Sequence, residues 1–128
     1  MIKDKQWEIE AIDASDSCVS TPGFDHLDGI TSLKELKLNY CAYVNDDCLA
    51  KVVQFCQKTL ERLEMVCCGT VSGAGLLYLQ YLDKLKYLNL FNLPMVHPNE
   101  RLVVLDVYRK AFGSRCKIIF PPTPTVAS

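Results

Sequence analysis

The sequence predicts an α/β chain built from a repeated strand–turn–helix unit, and three observations carry that prediction. First, apolar residues recur at fixed offsets: Leu60, Leu63, Met65, Cys68, Val71, Leu76 and Leu79 in one copy. Leu33, Leu36, Leu38, Cys41, Val44, Leu49 and Val52 repeat the same spacing one copy earlier. Second, a further copy begins Leu85, Leu88, Leu90, Leu93, Val96 and then slips by one place to Leu102 and Leu105. A weaker one opens with Ile9, Ile12 and Ala14, has Cys18 one place late, and reaches Leu27. Third, the starting points 9, 33, 60 and 85 lie within the 20–29-residue period of leucine-rich repeats, whose strand signature is L-x-x-L-x-L-x-x-C. The expected architecture is a leucine-rich-repeat solenoid of about four repeats, with a short parallel sheet on the concave side and helices on the convex side. It should form one domain over residues 1–120, followed by a flexible Pro-rich tail over 121–128.

Each element follows from the spacing. The L-x-L pair has period two, so both side chains point to one side of a short strand. The cysteine at the end of the strand turns the chain while burying a small apolar side chain. Helices then start near Asn45 and Ser72, both suited to N-capping. Leu49 with Val52 and Val53, and Leu76 with Leu79, bury those helices against the strands. One unit cannot cover its own apolar face, so the copies must stack. A last helix near Glu100–Phe112, carrying Leu102, Leu105, Val107 and Tyr108, should lie over the end of the core. Cys116–Phe120 reads as a final strand, and Pro121, Pro122 and Pro124 cannot continue it. The Trp7 region is expected to close the other end.

Stacking the copies in register places three columns on the concave face. They are Ala11, Glu35, Arg62, Tyr87; Asp13, Lys37, Glu64, Asn89; and Ser15, Asn39, Val66, Phe91. Charges alternate along Asp13–Lys37–Glu64 and Glu35–Arg62 and can pair laterally across the strands. Toward the last copy the face turns apolar. Tyr40, Val66, Tyr87, Asn89 and Phe91 are therefore the candidate partner-binding residues, since exposed aromatics on a rigid sheet suit a binding hot spot. The alternative is that the chain's own C-terminal segment covers them. Both stay open from sequence.

Composition restricts the function. The 128 residues are 49% hydrophobic and 23% charged, with net charge −1, as for a globular chain with a real core. Acids and bases are mixed, and no basic tract suited to a phosphate backbone is present, which argues against nucleic acid as a partner. No apolar run approaches the roughly 20 residues of a spanning helix, and the first residues resemble neither a secretory signal nor an organelle presequence. An odd count of seven cysteines points to reduced thiols, and no C-x-x-C pair suggests zinc. Neither cofactor, metal nor catalytic residue is expected. Cys41 and Cys68 occupy equivalent repeat positions, and His26 and His97 lie in connections. Asp46 and Asp47 suit a helix first turn, and the vicinal Cys67 and Cys68 read as one core and one exposed residue. Gly69, Gly73 and Gly75 belong to a turn and a helix start rather than a phosphate loop. The expected function is thus non-catalytic protein binding.

Several stretches are more distinctive than a generic repeat. Ala11-Ile12-Asp13-Ala14-Ser15-Asp16-Ser17-Cys18 is followed by Gly23-Phe24-Asp25-His26-Leu27-Asp28-Gly29. With Cys41-x-Tyr43-Val44-x-Asp46-Asp47-Cys48-Leu49 and Leu93-Pro94-x-Val96, the chain from Ile9 to Phe120 resembles the mitochondrial ATP synthase subunit s family, also called coupling factor B. A related complex I distal membrane-arm assembly component shares these repeats. The cysteine-type repeats of F-box receptors also look similar from Leu33 to Leu90, although no F-box precedes them here. The first resemblance implies a peripheral protein on the matrix side of the inner mitochondrial membrane that regulates the proton-translocating ATP synthase or supports its coupling. The second implies a complex I assembly factor, and the third a substrate-recognition module for ubiquitin ligation. The family's presequence and its segment before the first repeat, where a divalent ion has been associated with the family, have no counterpart here, so no metal residue is carried over. Asn39 and Cys41 stand where related members have Cys-x-Cys, which puts a dithiol role in doubt.

Overall fold

The computed structural model describes residues 9–122. Five short strands form one open, all-parallel sheet in chain order: β1 (Ala11–Asp13), β2 (Glu35–Lys37), β3 (Arg62–Val66), β4 (Tyr87–Phe91) and β5 (Lys117–Ile119). A helix lies between each pair: α1 (Thr21–Phe24), α2 (Asp46–Cys56), α3 (Gly73–Leu76) and α4 (Pro98–Phe112). Helices α1 and α3 run on into 3₁₀ turns, Asp25–Gly29 and Leu77–Tyr81. Leu36 pairs with Leu63, and Leu63 with Leu88, so the repeated leucines stand side by side on neighbouring strands.

Burial follows the repeat closely. All seven periodic residues of the copies starting at Leu33 and Leu60 are fully or almost fully buried. Their neighbours on the other face, such as Glu35, Lys37 and Glu64, stay half-exposed, which is the alternation a one-sided sheet requires. The helices pack one against the next along the far side of the core.

Cysteine has a specific job at the strand ends. Buried Cys41 donates its thiol to the Ala14 carbonyl at 3.1 Å, and Cys68 donates to the Leu38 carbonyl at 3.0 Å. A small side chain fits the turn and supplies a donor for a carbonyl of the preceding unit, which leucine cannot do.

Some expectations need correction. The fourth copy does not slip: Val104, in strict register, is buried, while Leu102 is 60% exposed and Leu105 only half-buried. The helix is anchored by Val104, Tyr108 and Phe112 at a spacing of four, so of the expected residues Tyr108 is fully buried while Val104 replaces Leu102 and Leu105. Helix α4 accordingly continues the helical layer between β4 and β5 instead of covering the end of the core. Cys18 is exposed because Ser17, next to the left-handed Asp16, takes the place that Cys41 and Cys68 hold in the later units. Ile9 is exposed because the first unit has no preceding strand among the described residues to cover it. Asn45 caps α2 as expected, its side chain accepting from the Cys48 N–H at 3.1 Å. Ser72 makes no side-chain cap of its own. Asp46 of the preceding helix accepts instead from the Ser72 N–H (2.8 Å) and hydroxyl, so one unit caps the next. The expectation for Trp7 falls outside the described residues, as does most of the expected tail.

Candidate functional site

Two of the three expected columns form in full register, and of the third the last pair, Val66 and Phe91. Ala11, Glu35, Arg62 and Tyr87 are successive partners, as are Asp13, Lys37, Glu64 and Asn89. Lys37 reaches Glu35 at 3.6 Å and Glu64 at 4.0 Å, and Arg62 reaches Glu35 at 3.8 Å. The Asp13 carboxylate is held below its ordinary range, chiefly by hydrogen bonds from Ser15 and less by Lys37. This half of the face therefore satisfies its own charges, and such partly exposed pairs contribute about 0–1 kcal/mol each.

The other half differs. The Arg62 guanidinium lies 4.1 Å above the Tyr87 ring, which leaves Tyr87 half-buried rather than free. Strand β5 adds Lys117 beside Tyr87 and Ile119 beside Asn89. The C-terminal segment thus flanks part of the aromatic end, as the alternative sequence reading allowed. It stops short of Phe91: the ladder ends at Ile119, Pro121 has no N–H to extend it, and Phe91 remains 42% exposed. Asn89 donates to the Tyr87 hydroxyl at 3.5 Å, while its Oδ1 is buried with no hydrogen-bond partner among the described residues. Val66 is half-buried between Asn39 and Phe91 in its column.

Tyr40 stands elsewhere, on the rim where strands give way to helices, and is 57% exposed. Two residues that sequence reasoning missed share this rim: Tyr43 at 60% exposure and Met95 at 57%. Their signal was available. Both fall between buried repeat positions, in loops too short to fold back over them. The rim also holds the non-glycine residues with left-handed backbone. Asp16, Tyr40, Cys67 and Asn92 have φ between 55° and 61°, one in each unit immediately before the turn. Asp and Asn tolerate this conformation, whereas it strains a tyrosine by about 1–2 kcal/mol. The ladder bonds Tyr40 N–H to Val66 O (2.7 Å) and Cys67 N–H to Phe91 O (2.9 Å) hold the strained residues in place.

Groups capable of chemistry are occupied structurally. His97 caps α4, its Nδ1 accepting from the Asn99 N–H at 3.1 Å, with Glu100 completing a capping box. Burial pushes the Cys56, Cys68 and Cys116 thiols up to about 11, away from the thiolate form a nucleophile needs. Half-exposed Cys67 accepts a hydrogen bond from the Asn92 amide at 3.2 Å. Among the described residues no three His, Cys, Asp or Glu side chains converge as a metal site would require.

The chain is similar to proteins named mitochondrial ATP synthase subunit s. It is 41% identical to the one from Homo sapiens over 100 residues, 77% of this chain and 50% of that protein. Against the Bos taurus protein the identity is 38% over the same lengths, and against that of Rattus norvegicus 39% over 111 residues, or 85% of this chain and 54% of the relative. The chain belongs to the ATP synthase subunit s family. It spans about half the length of the curated relatives it matches. No family model matches it. For a member of this family the described residues contain no helix long and apolar enough to cross a membrane.

Proposed function

We propose that this chain is a non-catalytic, leucine-rich-repeat protein-binding module, one domain over residues 1–120, that serves as an accessory protein of the mitochondrial ATP synthase. The carrying observation is the 36–41% identity to proteins bearing that subunit's name over most of this chain. Its place would be peripheral, on the matrix side of the inner membrane. Partner contact would run from the concave end, Tyr87, Asn89 and Phe91, over Val66 to Tyr40 on the rim. The exposed aromatics Tyr40 and Phe91 support that surface. The role would be regulatory or coupling, exerted through binding alone.

Affinity purification of the tagged chain from mitochondria tests the proposal. ATP synthase subunits should co-purify. Recovery of complex I membrane-arm subunits or of a ubiquitin-ligase adaptor, with no ATP synthase, would refute it, as would failure to find the chain in mitochondria.

A further inference from the structure

The two edges of the sheet differ in charge. In a parallel sheet every connection leaving a strand lies on one edge and every connection entering a strand lies on the other. The leaving connections 14–20, 38–45, 67–72 and 92–97 contain no Lys or Arg at all. The entering connections 30–34, 57–61, 82–86 and 113–116 carry Lys34, Lys58, Lys84, Lys86 and Arg115 against only Glu61 and Asp83. On the same edge Lys117 opens β5, Arg62 opens β3 and Glu35 opens β2, while Arg109 and Lys110 occupy the last turn of α4 and Asp28 the end of the first 3₁₀ turn.

Some of these cations have partners. Lys34 lies 3.8 Å from Glu10, Lys86 3.6 Å from Glu61, and Lys110 3.1 Å from Asp106, while Arg115 donates to the Leu82 and Leu85 carbonyls. Lys58, Lys84, Arg109 and Lys117 are exposed and make no ion pair among the described residues. Exposed Tyr81 closes the 3₁₀ turn just ahead of Lys84.

We infer that this cationic edge is a contact surface for an anionic phospholipid bilayer, which turns the opposite aromatic rim away from the membrane. The inference rests on the proposed peripheral location and adds to it a lipid-facing side. The layout favours a plane over a pocketed ligand. The cations sit on separate short loops entering β2 to β5, about 14 Å at the spacing of parallel strands, with no cleft to enclose a single phosphate. Each has a long stem and a solvated head that meets headgroups at little desolvation cost, and a neighbouring exposed tyrosine suits the interfacial layer. The net charge of −1 does not oppose this, because screening limits the opposite rim's acids to within about 10 Å.

The test is sedimentation of the full chain with vesicles of phosphatidylcholine, with or without about 30 mol % phosphatidylserine. The chain should bind only the anionic vesicles and should release at about 0.5 M salt. Each cation at such a surface multiplies partitioning about fivefold, so the triple variant Lys58→Gln/Lys84→Gln/Lys117→Gln should bind about a hundredfold more weakly. Ala42→Glu/Tyr43→Glu/Met95→Glu reaches the same net charge from the opposite rim and should keep most of the binding. Circular dichroism establishes that both variants fold. Equal loss in both would mean net charge alone governs attraction and would overturn the inference, as would absence of binding or equal binding to neutral vesicles. Preference for soluble heparin over anionic vesicles would overturn it too, in favour of a polyanionic polymer. The vesicles contain no protein, so a negative result here leaves the ATP synthase proposal to its own test.

Discussion

Gly75 is the position at which the stacking of units can be weighed most directly. A Cβ there would clash with the Asp46 carboxylate, 2.5 Å from Cγ and closer still to Oδ1, far inside van der Waals contact. That carboxylate is the cap of the next helix, accepting from both the Ser72 N–H and its hydroxyl. In an ordinary helix Gly→Ala stabilises by up to about 1 kcal/mol through backbone entropy. Here Gly75→Ala must displace Asp46. Two charge-assisted hydrogen bonds are at stake, each about 1.5–3 kcal/mol at most, discounted because the site is only part-buried and water can replace the carboxylate. The net expectation is a destabilisation of about 1–3 kcal/mol, a fall of roughly 4–12 °C in Tm for a chain of this size. Asp46→Ala should cost about 2 kcal/mol alone, since it removes a cap. The double variant should be no worse than Asp46→Ala, because the new methyl then has room. Urea unfolding of the four proteins measures the cycle. Strict additivity, or a stabilised Gly75→Ala, would refute the reasoning that one unit's acid is wedged against the next unit's glycine.

Other predictions follow from single contacts. Tyr108→Phe removes the hydroxyl that donates to the Leu76 carbonyl at 2.6 Å in the core, and should lower stability by about 1–2 kcal/mol in denaturant titration. Tyr40→Asn should raise Tm by relieving about 1 kcal/mol of left-handed strain, while lowering ATP synthase recovery in co-purification. A stabilised variant with full capture would remove Tyr40 from the proposed surface. Phe91→Asp should weaken capture with Tm nearly unchanged, whereas Tyr87→Asp should cost some stability as well, since Arg62 covers its ring. In alkali the raised thiols of Cys56, Cys68 and Cys116 favour the folded state only while protonated. Their contribution is intact below about pH 9 and should be lost as pH rises through about 11, seen as a falling Tm in reduced buffer. By the same burial, a thiol reagent at pH 8 should label Cys18 and Cys67 in the native protein and the other five only after unfolding.

The candidate surface was only half legible in the sequence. Phe91 could be placed because its column and the proline after β5 are both written in the chain. Tyr87 belonged to the same column, yet its pairing with Arg62 depends on a rotamer that spacing cannot supply. Tyr43 and Met95 lay in loops between buried repeat positions, a signal that marks exposure and not a binding role. The left-handed turn positions were hidden for another reason: Asp16 and Asn92 advertise them, but Tyr40 and Cys67 do not, because the ladder bonds of neighbouring strands impose the conformation against residue preference. The slip expected at Leu102 came from following hydrophobicity where register ruled. Arg101 takes the in-register position and remains compatible with it by sending its guanidinium to the Phe120 carbonyl at 2.7 Å.

Periodicity therefore determined the first four strands, their order, their register and most of the core. It could do so because each of these is a consequence of one spacing repeated along the chain, and a one-residue shift would turn every leucine to water. What lies between units was decided only in three dimensions: Asp46 capping the helix at Ser72, cysteine thiols answering carbonyls of the preceding strand, and cations from separate loops collecting on one edge. Those arrangements join residues some 25 positions apart, through side chains whose direction is set by packing and not by local preference. The repeat brings them within reach. Only the stacked structure selects which of them meet.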